Sequence, residues 1–320
     1  EQFHRLSAGL TVAGREDAVQ LIVEGHGDPR DREHFSSNAW LRLHQLPTRR
    51  ALDAIASFVG KEAISTHVDS ALEDQAETES TGLLNFELWI SSAGENGYSF
   101  DGQVDADSLP LDLERVRPDL ERLAIDFNGF WYPDKRFSLA LLNVTVDEAQ
   151  SIEPFNLQLS RGRNSDTLNF VADQLELGPW FKFAENHDLL TGRLGEVMNI
   201  LSPTGALQNL VAVLPLSEPK LWKFSANLTQ VSAQAWKGAP ALTQVDGYLQ
   251  ADQHGGLVDL NSLHGFSMHY PLAYKLPMVY SQAQGQIRWS LQPENNAIYV
   301  NSGLLNFSGE DGEAAAYFHV

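Results

Sequence analysis

Apolar and polar residues alternate with period two along most of the chain. Leu6, Ala8, Leu10 and Val12 interleave with Ser7, Gly9 and Thr11, and the rhythm returns at Leu84-Phe86-Leu88-Ile90, Phe137-Leu139-Leu141 and Phe155-Leu157-Leu159. It continues at Trp222-Phe224-Ala226-Leu228, Ile287-Trp289-Leu291 and Ala314-Ala316-Phe318-Val320. Successive side chains of a strand point to opposite faces, so each segment offers one greasy and one polar face. Turn chemistry separates them: Gly25 to Pro29, Gly94 to Gly97, Tyr132-Pro133-Asp134, Gly255-Gly256 and Gly309 to Gly312. Short strands joined by polar turns predict an antiparallel-rich, mainly β protein. Something must cover the apolar faces. A second sheet, a closed barrel and an open groove all satisfy the pattern, and periodicity alone does not choose among them.

One to three short helices interrupt the rhythm. Leu190, Leu194, Val197 and Leu201 form a single helical stripe with Met198, predicting a helix over about 186–201, capped by Asn186 or Asp188 and stopped at Ser202-Pro203. Shorter helices are expected around Leu113 to Leu123, with Pro118 near a first turn, and around Ala51 to Phe58. Residues 70–82 hold four acids and no base and read as a solvated acidic loop or linker. Trp180-Phe181-Lys182-Phe183 and Leu221-Trp222-Lys223-Phe224 resemble each other as a weak repeat.

Composition narrows the function. A chain of 320 residues, 43% hydrophobic and 20% charged with mean hydropathy −0.25, folds rather than staying disordered. The formal charge of −20 argues against nucleic acid and anionic membrane surfaces as default partners. The acids concentrate in residues 1–160, net −15, against −5 for 161–320. The longest apolar run, Leu210 to Leu216, is too short for a membrane-crossing helix. Without cysteine there are no disulfides, thiolate metal sites or cysteine nucleophiles. The chain opens at Glu1 without a leader and reads as a piece of a longer one.

The search for chemistry returns no catalytic set. His26, Asp28, Asp31 and His34 have metal-ligand types, but the glycines, proline and arginines among them read as a charged turn. His264 and His269 lack the i, i+4 spacing of a helical zinc site. Gly309-Glu310-Asp311-Gly312-Glu313 reads as a hairpin tip, and no phosphate loop, dinucleotide fingerprint or nucleophile elbow is present. Asn143-Val144-Thr145, Asn227-Leu228-Thr229 and Asn306-Phe307-Ser308 match the glycosylation triplet at near-chance frequency. No metal or cofactor is expected. An acidic pair with Trp131, Trp180 and Trp222 as sugar platforms leaves a carbohydrate-binding or carbohydrate-hydrolysing β-sandwich or solenoid as the alternative. An outer-membrane barrel also fits the alternation.

The order of motifs over residues 178–320 resembles the AsmA-like family of bacterial envelope proteins, in particular its large YhdP-type members. The resemblance starts with Leu201-Ser202-Pro203-Thr204-Gly205-Ala206-Leu207-Gln208-Asn209-Leu210, a helix-ending turn into a strand. Phe224-Ser225-Ala226-Asn227-Leu228, Trp236-Lys237-Gly238-Ala239-Pro240 and Val245-Asp246-Gly247-Tyr248-Leu249 follow. Gly255-Gly256-Leu257-Val258-Asp259-Leu260 and Gln284-Gly285-Gln286-Ile287-Arg288-Trp289 complete it. The resemblance implies one elongated domain over 1–320, a twisted U-shaped sheet (a β-taco) whose concave groove is apolar. It further implies non-enzymatic transport of phospholipid across the periplasm. In the full-length protein, inner and outer membrane would lie at the two ends, with an inner-membrane anchor outside this sequence. The groove-lining positions it implies are Leu139, Leu141, Phe155, Leu157, Leu159, Phe224, Ala226, Leu228, Ile287, Trp289 and Leu291, about a third of them packing under the 188–201 helix instead. At Leu142 and Val144 both registers are apolar, so either could face inward.

Overall fold

The computed structural model describes residues 3–12, 15–31, 34–48, 82–92, 97–110, 119–134, 136–146, 154–162, 167–186, 192–236, 239–272, 274–292, 297–310 and 312–319. They fall into two compact units, Glu1–Pro154 and Phe155–Val320, both mostly β. In the first, β1 (Phe3–Val12), β2 (Arg15–His26), β3 (Ser36–Pro47), β4 (Leu83–Ser92), β5 (Tyr98–Pro110), β6 (Asp119–Trp131) and β7 (Phe137–Val146) pair in chain order as an antiparallel meander. Residues 119–123, expected to end a helix, instead begin β6. Leu123, Ile125 and Phe127 alternate, and each finds an apolar or glycine partner on β5, at Ala106, Val104 and Gly102. Cross-strand pairing outweighs weak helical propensity there. The expected helix at Ala51 to Phe58 and the acidic loop lie, Gly82 apart, outside the described residues.

The second unit begins with β8 (Phe155–Arg161) and β9 (Thr167–Glu176). Two helices follow, α1 (Leu177–Asn186) and α2 (Gly192–Leu201), and then β10 (Thr204–Pro215), β11 (Lys223–Ala233) and β12 (Ala241–Asp252). β13 (Gly255–Ser262) and β14 (Phe266–His269) both pair with β12, so they act as one strand interrupted at 263–265. Likewise β15 (Met278–Tyr280) leads into β16 (Gln282–Gln292), and β17 (Ala297–Ser302) and β18 (Leu305–Gly309) both pair with β16. β19 (Gly312–Ala316) returns along β18 through the expected Gly309 to Gly312 turn. It stops short of the strand expected to reach Val320. Gly255 and Gly256 lie inside β13 rather than in a turn, and Gly255 accepts a place opposite both Asp252 and Ser290. In neither unit does a described pairing close the sheet into a barrel.

The helical region differs from expectation in extent. α2 stops at Leu201, where Ser202 donates its hydroxyl to the Asn199 carbonyl at 2.8 Å before Pro203. Asn186 is not its cap but the last residue of α1, and Leu190 and Asp188 lie outside the described residues. In α1 a first-turn Pro179 loses no hydrogen bond, and Phe183 buries to 5% exposure. Trp180-Phe181-Lys182-Phe183 is therefore helical, whereas Leu221-Trp222-Lys223-Phe224 runs from a short 3-10 turn (Pro219–Leu221) into β11. The two share no structure.

Strand rhythm is broken at defined points. Gln45, Asn143, Asn209, Gln230 and Gln244 adopt φ of 49°, 50°, 50°, 49° and 57°. Each coincides with a register shift, between Leu43 and Leu46, opposite Ala124 to Asp126, between Gln208 and Val211, and on either side of Val231. These are β-bulges, which insert one residue, bend the strand and increase its twist. The apolar period steps by three instead of two across each, so both flanking residues face the same way. Leu43 and Leu46 are each 5% exposed, Leu207 and Leu210 7% and 5%.

Candidate functional site: apolar sheet faces

In the first unit, register turns the alternation into unbroken rows across the strands. One row runs Leu6, Val23, Ala39, Ile90, Phe100, Gly129, Leu139, each the direct partner of the next. The next runs Ala8, Leu21, Leu41, Leu88, Gly102, Phe127, Leu141. A third runs Leu10, Val19, Leu43, Phe86, Val104, Ile125. Every position in these rows is aliphatic, aromatic or glycine. The opposite face carries the polar and acidic side chains, with Ile22, Trp40 and Trp89 adjacent in one row among them: Glu87 accepts from Trp40 Nε1 at 3.0 Å and Gln103 Nε2 at 2.9 Å, and Asp126 accepts from Asn143 Nδ2 at 3.1 Å.

The second unit repeats the construction. A row crosses it through Leu159, Phe170, Ala212, Phe224, Ala251, Gly256, Trp289 and Val300. Beside it lie Leu157, Ala172 and Leu210, then Ala226, Leu249, Val258 and Ile287. Leu207, Leu228, Gly247, Leu260 and Gly285 make a further row. Glycine has a specific use here. A Cβ on Gly256 would lie 2.1 Å from Trp289 Cζ2, and one on Gly129 would lie 2.6 Å from Phe100 Cζ. The aromatic rings thus lie down over neighbouring glycines instead of standing off the sheet.

These faces are incompletely covered. Among the described residues no side chain larger than that of Ser262 is less than 2% exposed. Leu41, Phe86, Leu88, Phe127, Phe170, Leu249 and Ile287 are only half-buried, and Leu6 and Leu10 are each 60% exposed. A close-packed two-layer core would bury such side chains fully. α1 covers a local part: Trp180 meets Phe155 edge-on at 5.1 Å and Phe183 at 5.6 Å.

All eleven residues named from the sequence fall on these faces. Leu139 and Leu141 are in the first unit, the other nine in the second. Ala226 and Leu228 are buried, at 1% and 8% exposure; the other nine are half-buried. The bulge at Asn143 places Val144 on the apolar face, 4% exposed, while Leu142 stands opposite Asp126 on the polar one. Sequence reasoning missed most of the first unit's rows, although Leu84-Phe86-Leu88-Ile90 displays the same alternation.

The other clusters do not converge on chemistry. His34 Nδ1 meets Asp31 Oδ2 at 3.0 Å on an exposed turn, and Asp28 Oδ1 accepts from the Arg30 amide at 3.0 Å. His269 Nε2 donates to the Tyr274 carbonyl at 3.1 Å. No three metal-ligating side chains meet among the described residues. Trp131 stacks on Phe137 at 6.4 Å in the first unit; in the second, Trp180 is part of α1 and packs edge-on against Phe155, and Trp222 ends the 3-10 turn.

The Intermembrane phospholipid transporter YhdP of Escherichia coli (strain K12) is 25% identical over 287 residues, covering 87% of this chain and 21% of that protein. The chain thus spans about a fifth of the length of the curated relative it matches. No solved structure matches it. The family model described as YhdP protein matches residues 20–313, nearly the whole sequence, and the chain belongs to the YhdP family.

Proposed function

We propose that this chain is a non-enzymatic segment of a phospholipid conduit between membranes, in which the apolar sheet faces hold acyl chains during passage through the periplasm. The observation that carries the reading is the set of unbroken apolar rows whose large side chains stay half-exposed. Each acyl methylene kept from water is worth about 0.8 kcal/mol, so a sixteen-carbon tail represents on the order of 10 kcal/mol. At about 4.8 Å per strand, a row across seven strands is about 29 Å long. A bilayer leaflet is about half of a 30 Å hydrocarbon core, so a row accommodates an extended tail with length to spare. Leu139, Leu141, Phe155, Leu157, Leu159, Phe224, Ala226, Leu228, Ile287, Trp289 and Leu291 belong to this lining, Phe155 with α1 beside it. Transport breaks no bond, so it needs no catalytic group. Phospholipid is the cargo, and the inner and outer membranes are the partners of the longer protein.

The test uses photo-crosslinking residues at Phe224 or Trp289, with Tyr248 on the polar face as the control. Phospholipid adducts are expected at the first two and not at the third, together with phospholipid in the purified protein. Equal labelling at Tyr248, or delipidated protein that takes up no labelled phospholipid, overturns the proposal.

A further inference from the structure

The loop at 270–277, joining β14 to β15, holds three strongly exposed large apolar side chains of the second unit, among them the most exposed one, Leu272. Leu272 is 96% exposed, Leu276 77% and Tyr274 55%. The loop is not slack: the Tyr274 amide donates to the Tyr270 carbonyl at 2.8 Å, and His269 Nε2 donates to the Tyr274 carbonyl at 3.1 Å. Its leucines are held out in solvent by an internally bonded turn. The local charge is also unlike the rest of the chain. Residues 260–293 contain no Asp or Glu in a protein of net charge −20, and the loop's one charged side chain is Lys275.

We propose that this hairpin tip is a lipid-surface anchor, with Leu272 and Leu276 entering the interfacial layer of a bilayer, Tyr270 and Tyr274 at headgroup depth and Lys275 directed to phosphate. Leucines at the apex, a tyrosine collar and a single snorkelling cation are the chemistry of the membrane interface. A protein partner for a chain this acidic would be expected to find carboxylates around the contact, and this stretch has none. The neighbouring β18–β19 turn carries Glu310, so apolar insertion and not charge attraction drives the association. The inference rests on exposure and charge at the tip and is independent of acyl chains lying on the sheet faces.

The absence of cysteine permits a direct test. In the 320-residue chain, Leu272→Cys labelled with an environment-sensitive fluorophore should brighten and shift blue on adding phosphatidylcholine vesicles. The same label at Leu221→Cys, in the loop at the other end of β11, should not respond. Leu272→Asp with Leu276→Asp should lower co-sedimentation with vesicles at least about tenfold, with unchanged circular dichroism and unchanged phospholipid content. Leu216→Asp with Leu221→Asp is the matched control and should co-sediment like the parent chain. No fluorophore response at Leu272→Cys, equal sedimentation of parent and double variant, or loss of self-association in place of vesicle binding overturns the proposal. Loss of co-purifying phospholipid in the parent chain would count against the conduit and leave the tip's vesicle binding standing.

Discussion

Gln45, Asn143, Asn209, Gln230 and Gln244 share a local sequence as well as a conformation: each is the third residue of Leu-x-Asn/Gln-Leu/Val. The left-handed backbone costs a residue with a Cβ roughly 1–2 kcal/mol, and only Asn offsets part of this through local bonding. The expense is met next door. Leu228 before Gln230 is 8% exposed and Val245 after Gln244 is 6% exposed, among the deepest side chains of a sparsely covered sheet. Polar-face groups secure the freed amides: Asp246 Oδ1 accepts from the Gln230 amide at 2.7 Å, and Asn85 Oδ1 from the Gln45 amide at 3.0 Å. Gln230→Gly should therefore raise stability by up to about 1 kcal/mol, because glycine adopts this φ freely. Gln230→Val should lower it by about 1–2 kcal/mol, since a β-branched side chain is poorly tolerated there. Urea unfolding of the two variants checks the ordering, and a Val variant as stable as the Gly variant would contradict the strain assigned to this position.

At the scale of elements, α1 packs on the sheet through aromatic edges. Trp180 touches both Phe155 on β8 and Phe183 within α1, and such pairs contribute about 0.5–1.5 kcal/mol each. Trp180→Ala should cost about 1–3 kcal/mol and loosen α1 from β8; amide exchange across 177–186 should rise while that of β12 and β13 stays protected. The contrast between this helix and the strands explains what could be read in advance. Period-two segments such as Leu84-Phe86-Leu88-Ile90 announce strands because register rewards every second side chain at once. α1 is hard to see in the sequence because Phe181-Lys182-Phe183 alternates like a strand, and only Gly178-Pro179 at its start hints at a helix. Over 119–123 β6 looks helical to a local window because its apolar partners lie on β5, beyond that window's reach. The apolar-face positions Ala226 and Trp289 are legible from alternation, but the register that joins them into rows with Leu249 and Gly256 depends on bulges at Gln230 and Gln244. Those bulges do have a signature: the three-residue step of Leu-x-Asn/Gln-Leu/Val between otherwise two-residue periods.

For the whole molecule the decisive quantity is charge. Carboxylates such as Glu87, Asp126, Asp246 and Asp259 stand on the polar faces, and the total is −20, so the chain as a body is repelled by an anionic bilayer. The 270–277 tip pulls the other way, and its leucines contribute a term that salt does not screen. The two effects separate with ionic strength, because the Debye length falls from about 10 Å at 0.1 M to about 3 Å at 1 M salt. On phosphatidylcholine vesicles, association should be nearly independent of salt. Adding phosphatidylglycerol should weaken association at low salt, and raising salt should restore it, since only the repulsion of the body is screened. Co-sedimentation over a salt series on both vesicle types measures this. Tighter binding to phosphatidylglycerol that is lost at high salt would mean that Lys275 outweighs the acidic faces. In that case attraction of the tip, and not insertion of its leucines, would govern how this protein meets a membrane.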